Sequence, residues 1–211
     1  FTSFNQLQDT MLLTANAIGA LVSDSLAGVG GLTNFEESTV ALSGSEAAVW
    51  RPAAAVGGDA GIVLQPRGNG YIATIRPDGT GLGGNDRGNF AVDMQIIRTT
   101  ATQVASSTYS TISGGFENTS SNFASSVGGG RVNVASGSYA TVPGGHGLEA
   151  LSYGETVVGT FNDNSGYTPN PNTWTATDRA FVVGIGENNT NRANAMTILK
   201  DGNVGIGTNT P

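Results

Sequence analysis

The 211-residue sequence has no cysteine, one histidine, one lysine and only 12% charged residues. Without cysteine, neither disulfides nor thiolate-bound metal contribute to stability, and the sequence carries no sign of its redox compartment. Nine cationic side chains against sixteen acidic ones give a formal charge of −7. No basic patch is available to displace counterions from phosphate, which argues against a nucleic-acid partner and against binding to an anionic membrane. The lack of an apolar run of about 18 residues excludes a conventional membrane helix. What the chain has in excess is glycine, 32 residues, together with Ser, Thr, Asn and Ala. Such a composition suits disorder or a repetitive β fold, and regularly placed Val and Ile favour the second.

That placement is periodic. Ile112, Val127, Val142 and Val157 recur every 15 residues, and so do Gly114, Gly129, Gly144 and Gly159. Gly115, Gly130 and Gly145 follow the same interval until Thr160 breaks the run, and Thr111, Ser126, Thr141 and Thr156 precede the aliphatics. Each unit therefore reads aromatic, one to three small residues, Ser/Thr, Val/Ile, any residue, Gly-Gly, and a polar loop carrying Asn118 or Asn133. A short fixed period over four turns is the mark of stacked supersecondary units.

Fifteen residues with a Gly pair cannot form a helical hairpin, but they suffice for two short strands and two turns. Tyr109 to Ile112 and Tyr139 to Val142 have the β-branched and aromatic content of strands, and successive coils would stack at ~4.8 Å. Each coil offers about one aliphatic and one aromatic side chain for burial, little against the entropy of ordering its backbone. The stack is therefore expected to rest on a partner surface, which a homo-oligomer supplies.

The run STYSTISGGFENTSSNFASSVGGGRVNVASGSYATVPGG resembles the head repeats of trimeric autotransporter adhesins and, more closely, the related repeats of bacteriophage tail fibres. The preceding GGNDRGNFAVDMQIIRTTATQVAS is similar to what leads into such repeats in fibre proteins, especially those of cyanobacterial phages. ILKDGNVGIGTNTP resembles the stretch just before the self-cleaving intramolecular chaperone of tail fibres and tailspikes. Together these segments cover about half the chain. The resemblance implies a mainly β fold, a left-handed parallel β-roll assembled as a homotrimer; neither the handedness nor the number three follows from the spacing.

Four regions are expected. Residues 1–29 carry Phe4, Leu7, Met11, Thr14, Ile18 and Leu21 at alternating steps of 3 and 4, the seam of a coiled coil that a trimer would bury. Residues 30–102 read as β structure with turns. Within them IVLQPRGNGYIATI suggests two strands about a turn at Pro66 to Gly70, and FAVDMQII a strand entering the rod. Residues 103–162 are the β-roll repeats. Residues 163–211 comprise an Asn/Asp/Pro/Thr loop and a C-terminal β segment, with Asp201-Gly202 a tight-turn pair, leading towards a chaperone outside this chain.

Catalytic constellations are thin. His146 occupies the repeat slot of Phe116, Arg131 and Phe161, a surface position, and no Ser-His-acid set is better than chance. Glu36 and Glu37 are adjacent and so point to opposite faces of a strand. The Gly-rich runs GVGGLTNF, GIGENNTN and GNVGIGTN lack the Lys-Ser/Thr ending of a phosphate loop. Asn162, Asp163 and Asn164 are oxygen donors of the kind a hard cation takes. For recognition, Tyr167, Asn170, Asn172 and Trp174 concentrate rings and amides in the loop leaving the rod. The expectation is a non-catalytic structural component of a virion tail fibre, without cofactor or resident metal. Its partners would be two further copies, other tail or baseplate proteins, and a host surface glycan or protein. The alternatives are a bacterial trimeric surface adhesin head and a polysaccharide-depolymerising tailspike.

Overall fold

The computed structural model describes the backbone of residues 35–42 and 45–52, together with residue 66, residues 68–209 and residue 211. The chain divides into two units, residues 1–63 and 64–211. In the first, β1 (Phe35–Leu42) and β2 (Ser45–Pro52) form an antiparallel pair running from Phe35 opposite Pro52 to Leu42 opposite Ser45. The coiled coil expected over residues 1–29 and the first strand of the Ile62 to Ile75 pair lie outside the described residues.

The second unit is a β-solenoid of about five turns. Its main sheet stacks β3 (Ile72–Ala73), β4 (Val92–Asp93), β5 (Thr111–Ile112), β7 (Ser126–Val127), β9 (Thr141–Val142), β11 (Thr156–Thr160) and β12 (Arg179–Ile185) in parallel. A second parallel sheet joins β6 (Thr119–Ser120), β8 (Val134–Ala135) and β10 (Glu149–Ala150). A third line of single parallel bridges runs Ile97, Phe116, Arg131, His146 and Thr160. Each coil thus makes three lines of backbone pairing rather than the two expected. Three left-handed corners separate them: Tyr109, Ala124 and Tyr139 at φ 60, 51 and 60°, Glu117 and Val132 at 61 and 55°, and the second glycine of each pair.

That second glycine is dictated by contact as well as by φ. Gly130 sits at φ +81°, and a Cβ there would lie 2.1 Å from the Gly145 carbonyl oxygen of the next coil. Gly144, by contrast, faces open space. The same contact recurs between Gly145 and the carbonyl of Gly159, and His146 bridges to Thr160. Gly159 therefore takes the second glycine place, not the first that the 15-residue ruler assigned, and this coil is one residue shorter at that corner.

The interior is narrow and filled by small residues in columns. Ile112, Val127, Val142, Val157 and Val182 form one, and Ala105, Ser120, Ala135 and Ala150 another, all fully buried. A third column is polar. Asn118 and Asn133, read from the sequence as loop residues, are fully buried. Asn118 Oδ1 accepts the Asn133 backbone N–H at 2.9 Å, and Asn133 Oδ1 accepts that of Leu148 at 3.0 Å. Each Nδ2 donates back into its own coil and forward into the next; Asn133 reaches the carbonyls of Gly129 at 2.9 Å and Gly145 at 3.0 Å. The side-chain amide thus continues the coil-to-coil ladder where the backbone turns, satisfying groups that would otherwise be buried unpaired.

The stack extends beyond the 15-residue repeats at both ends. Upstream, Asp93 pairs in register with Ile112, so a carboxylate occupies the slot of the aliphatic column. Arg87 Nε and Arg98 Nη2 each lie 2.9 Å from its Oδ2, all three side chains being fully buried. Downstream, β11 runs five residues and pairs along its length with β12. Antiparallel β13 (Asn194–Leu199) and β14 (Val204–Ile206) complete the sheet, and Asp201-Gly202 turns between them. The described residues contain no helix.

Candidate functional site: an exposed aromatic ladder and the loop beside it

The corner preceding the main sheet carries a ring from each of five successive coils, those of β4, β5, β7, β9 and β11. Phe90, Tyr109, Phe123, Tyr139 and Tyr153 follow one another with centroids 5.2, 5.6, 5.4 and 5.3 Å apart. The first pair is stacked at 11°, the others meet edge-on, both favoured geometries for aromatic quadrupoles. The rings stay open to solvent, with Tyr109 51%, Phe123 39% and Tyr139 49% exposed. Their sequence spacing is uneven, 19, 14, 16 and 14 residues. Phe90, Tyr109 and Tyr139 sit at the left-handed residue itself, whereas Phe123 precedes left-handed Ala124 and Tyr153 precedes left-handed Gly154. The signal in the sequence was the aromatic's alternation between three and four residues ahead of each aliphatic.

Below the ladder, three of the corner turns are closed from inside by one buried side chain, and buried Ala140 fills the same slot in the coil of Tyr139. Ser110 Oγ donates to the Ser107 carbonyl, and Ser125 Oγ to that of Asn122. In the last of these coils the slot holds Glu155, whose Oε2 accepts the N–H groups of Leu151 and Ser152, both at 2.8 Å. Burial pushes the Glu155 carboxyl above the usual carboxylate range, opposed by those N–H donors and by the charges of Arg179 and Lys200. Glu155 Oε1 and Arg179 Nε are both buried without a protein partner.

The loop of residues 161–178 folds back on this same corner. Ser138 N–H donates to the Pro171 carbonyl at 2.7 Å, Tyr153 N–H to the Asn170 carbonyl at 3.1 Å, and Asn122 Nδ2 to Asn172 Oδ1 at 3.0 Å. Of the four recognition candidates, Tyr167 is half-buried against Arg179: its ring lies 3.9 Å beneath the guanidinium and its hydroxyl accepts the Arg179 N–H at 2.9 Å. Burial, then the nearby Glu155, push its hydroxyl up to about 12. Asn170 Oδ1 is taken by the N–H groups of Asn172 and Thr173. Asn172 is the clasp to Asn122. Trp174 is 61% exposed, and two residues of chain hold its Cα within ~7 Å of that clasp. The structure thus brings Asn170, Asn172 and Trp174 to the flank of the ladder and turns Tyr167 inward.

The oxygens proposed for a cation already have protein donors. Asn162 Oδ1 accepts from Glu149 N–H, Asp163 Oδ1 from Ser165, and Asn164 Oδ1 from Arg179. Among the described residues no group of three His, Asp or Glu side chains is placed to hold a metal ion. The His146 ring lies 4.5 Å from that of Phe161, tilted by 52°, and by backbone pairing its neighbour in the last coil is Thr160. Glu36 and Glu37 occupy consecutive positions of β1. The runs at 184–191 and 202–209 are strand ends and turns. Among the described residues no helix is long and apolar enough to cross a membrane. No family model, curated protein or solved structure matches this chain.

Proposed function

We propose that the chain is a non-catalytic segment of a bacteriophage tail fibre, a homotrimer that spans, stiffens and presents a host-receptor-binding surface on the virion. The observation that supports it best is the apolar edge along the line of single bridges. Ile96 and Ile97 are each 60% exposed at its first coil and Phe116 follows; Val132 lies next to Arg131 in the coil after, and the line then ends on polar His146 and Thr160. A solenoid whose interior holds mostly Ala, Ser, Val and Asn gains the burial it lacks by laying such an edge against symmetry mates. The repeat resemblance points to the same assembly. Light scattering and sedimentation test it: a trimer of the 21.3 kDa chain has a mass of about 64 kDa. A stable folded monomer removes the energetic support for the fibre reading. Antibody labelling of intact particles at this chain tests the location.

A further inference from the structure

The aromatic ladder lies along a different line from that apolar edge, and its surroundings differ in kind. Beside the rings, Thr111, Ser126, Thr141 and Thr156 form an outward row in register, one per coil. These residues are half-buried at the sheet face, and their hydroxyls bond to no group among the described residues. Among the described residues, the hydroxyls of Tyr109, Tyr139 and Tyr153 likewise have no hydrogen-bond partner. Across the segments 107–111, 121–126, 136–141 and 151–156 the only carboxylate is the fully buried Glu155, and there is no cation. In a chain with a formal charge of −7, the strip is uncharged over its first three coils; at the fourth, Lys200 Nζ reaches Ser152 Oγ at 3.1 Å.

We infer that the ladder is a binding track for an extended, uncharged polysaccharide lying along the solenoid axis, with Trp174 at its flank. The occupant has to repeat at the coil rise, about 5 Å, and stay in contact over four coils. It needs apolar C–H faces for the rings and hydroxyls for the Thr/Ser row and the tyrosine hydroxyls. It has to carry no regularly repeated charge, because the first three coils offer none to pair and an ionised group there would lose hydration without a partner. A ribbon-like neutral glycan meets all of these conditions. A second copy of this chain meets them poorly, since a protein–protein seam here would bury a row of hydroxyls on each side. The inference deepens the receptor-presenting reading and rests on it only in that the ladder remains open in the assembly.

The test is affinity electrophoresis of the full chain in native gels. Two neutral β-1,4-linked polymers, hydroxyethyl cellulose and galactomannan, serve as probes, with acidic polygalacturonate for comparison. Retardation by a neutral polymer and not by the acidic one is expected. Tyr139→Asn keeps a residue that tolerates the left-handed corner, and Phe123→Ser alters a residue of ordinary backbone; each should weaken retardation roughly five- to tenfold. Circular dichroism melts confirm folding. Retardation by neither neutral polymer, retardation by polygalacturonate alone, or loss of the oligomer in Tyr139→Asn overturns the proposal. Retardation of a protein that sediments as a monomer leaves the track standing and removes the trimer.

Discussion

Replacing Asn133 by aspartate exchanges one atom in the middle of the stack and leaves volume unchanged. The Oδ1 that holds the Leu148 N–H at 3.0 Å is kept. What changes is the Nδ2, which donates to the Gly129 carbonyl at 2.9 Å and the Gly145 carbonyl at 3.0 Å. An oxygen in its place faces two carbonyl oxygens at hydrogen-bonding distance with, at best, one proton to share. The Gly145 carbonyl retains the Arg131 N–H at 3.0 Å, so Gly129 is the group left wholly unpaired. Orphaning this part-buried acceptor costs about 1–2 kcal/mol, and desolvating the acid at fully buried residue 133 or holding it protonated adds about 1–4 kcal/mol. A loss of about 2–6 kcal/mol is expected, which for a unit of this size lowers the melting temperature by roughly 5–20 °C. Asn189→Asp makes the same chemical change at an exposed turn, where Oδ1 already accepts from Arg192 Nη2 at 2.7 Å, and should match the parent or gain up to about 1 kcal/mol. Urea unfolding and thermal melts followed by circular dichroism compare the two. Equal stability of both variants would refute the amide ladder, because a loop asparagine would behave in that way.

Two further outcomes follow from the same coils. Gly130→Ala places a Cβ 2.1 Å from the Gly145 carbonyl oxygen at φ +81° and should prevent native stacking, whereas Gly144→Ala meets nothing within 4 Å and should stabilise by about 0.4–1 kcal/mol; soluble yield and melting temperature distinguish them. Glu155 binds its proton more tightly in the folded than in the unfolded chain. Its contribution is therefore greatest below the ordinary glutamate value and is lost as pH rises through the raised one. Glu155→Gln keeps the acceptor for Leu151 and Ser152, so its stability relative to the parent should improve from about pH 5 to pH 8; denaturation midpoints across that range measure it, and a constant difference would contradict the assigned burial effect.

Where the sequence repeated strictly, it could be read. The Ile112 to Val157 column lies fully buried, as the period required, because side chains in register across stacked coils face the same interior. Asn118 and Asn133 were misplaced as loop residues since polarity alone does not distinguish a solvated amide from one satisfied by the next coil. The ladder was hidden by two adjacent backbone positions that both present a ring to one surface, which breaks the count by one each time. The upstream coils carry no 15-residue signal because their corners hold extra residues: Ala73 pairs with Asp93 and Asp93 with Ile112. In the loop, composition identified the rings and amides but could not show that the Arg179 guanidinium turns Tyr167 inward.

The single residue missing between Val157 and Thr160 acts as punctuation. In the three coils before it, those of β5, β7 and β9, the Gly pair bends the chain off the main sheet after two strand residues; here the chain runs straight for five and offers β12 a full-length partner. Past that point the chain no longer winds but folds back, first as β13 and then as β14. Repeats of 15 could be added or removed upstream with only neighbouring coils affected, while this shortened coil would still mark where the repetition stops.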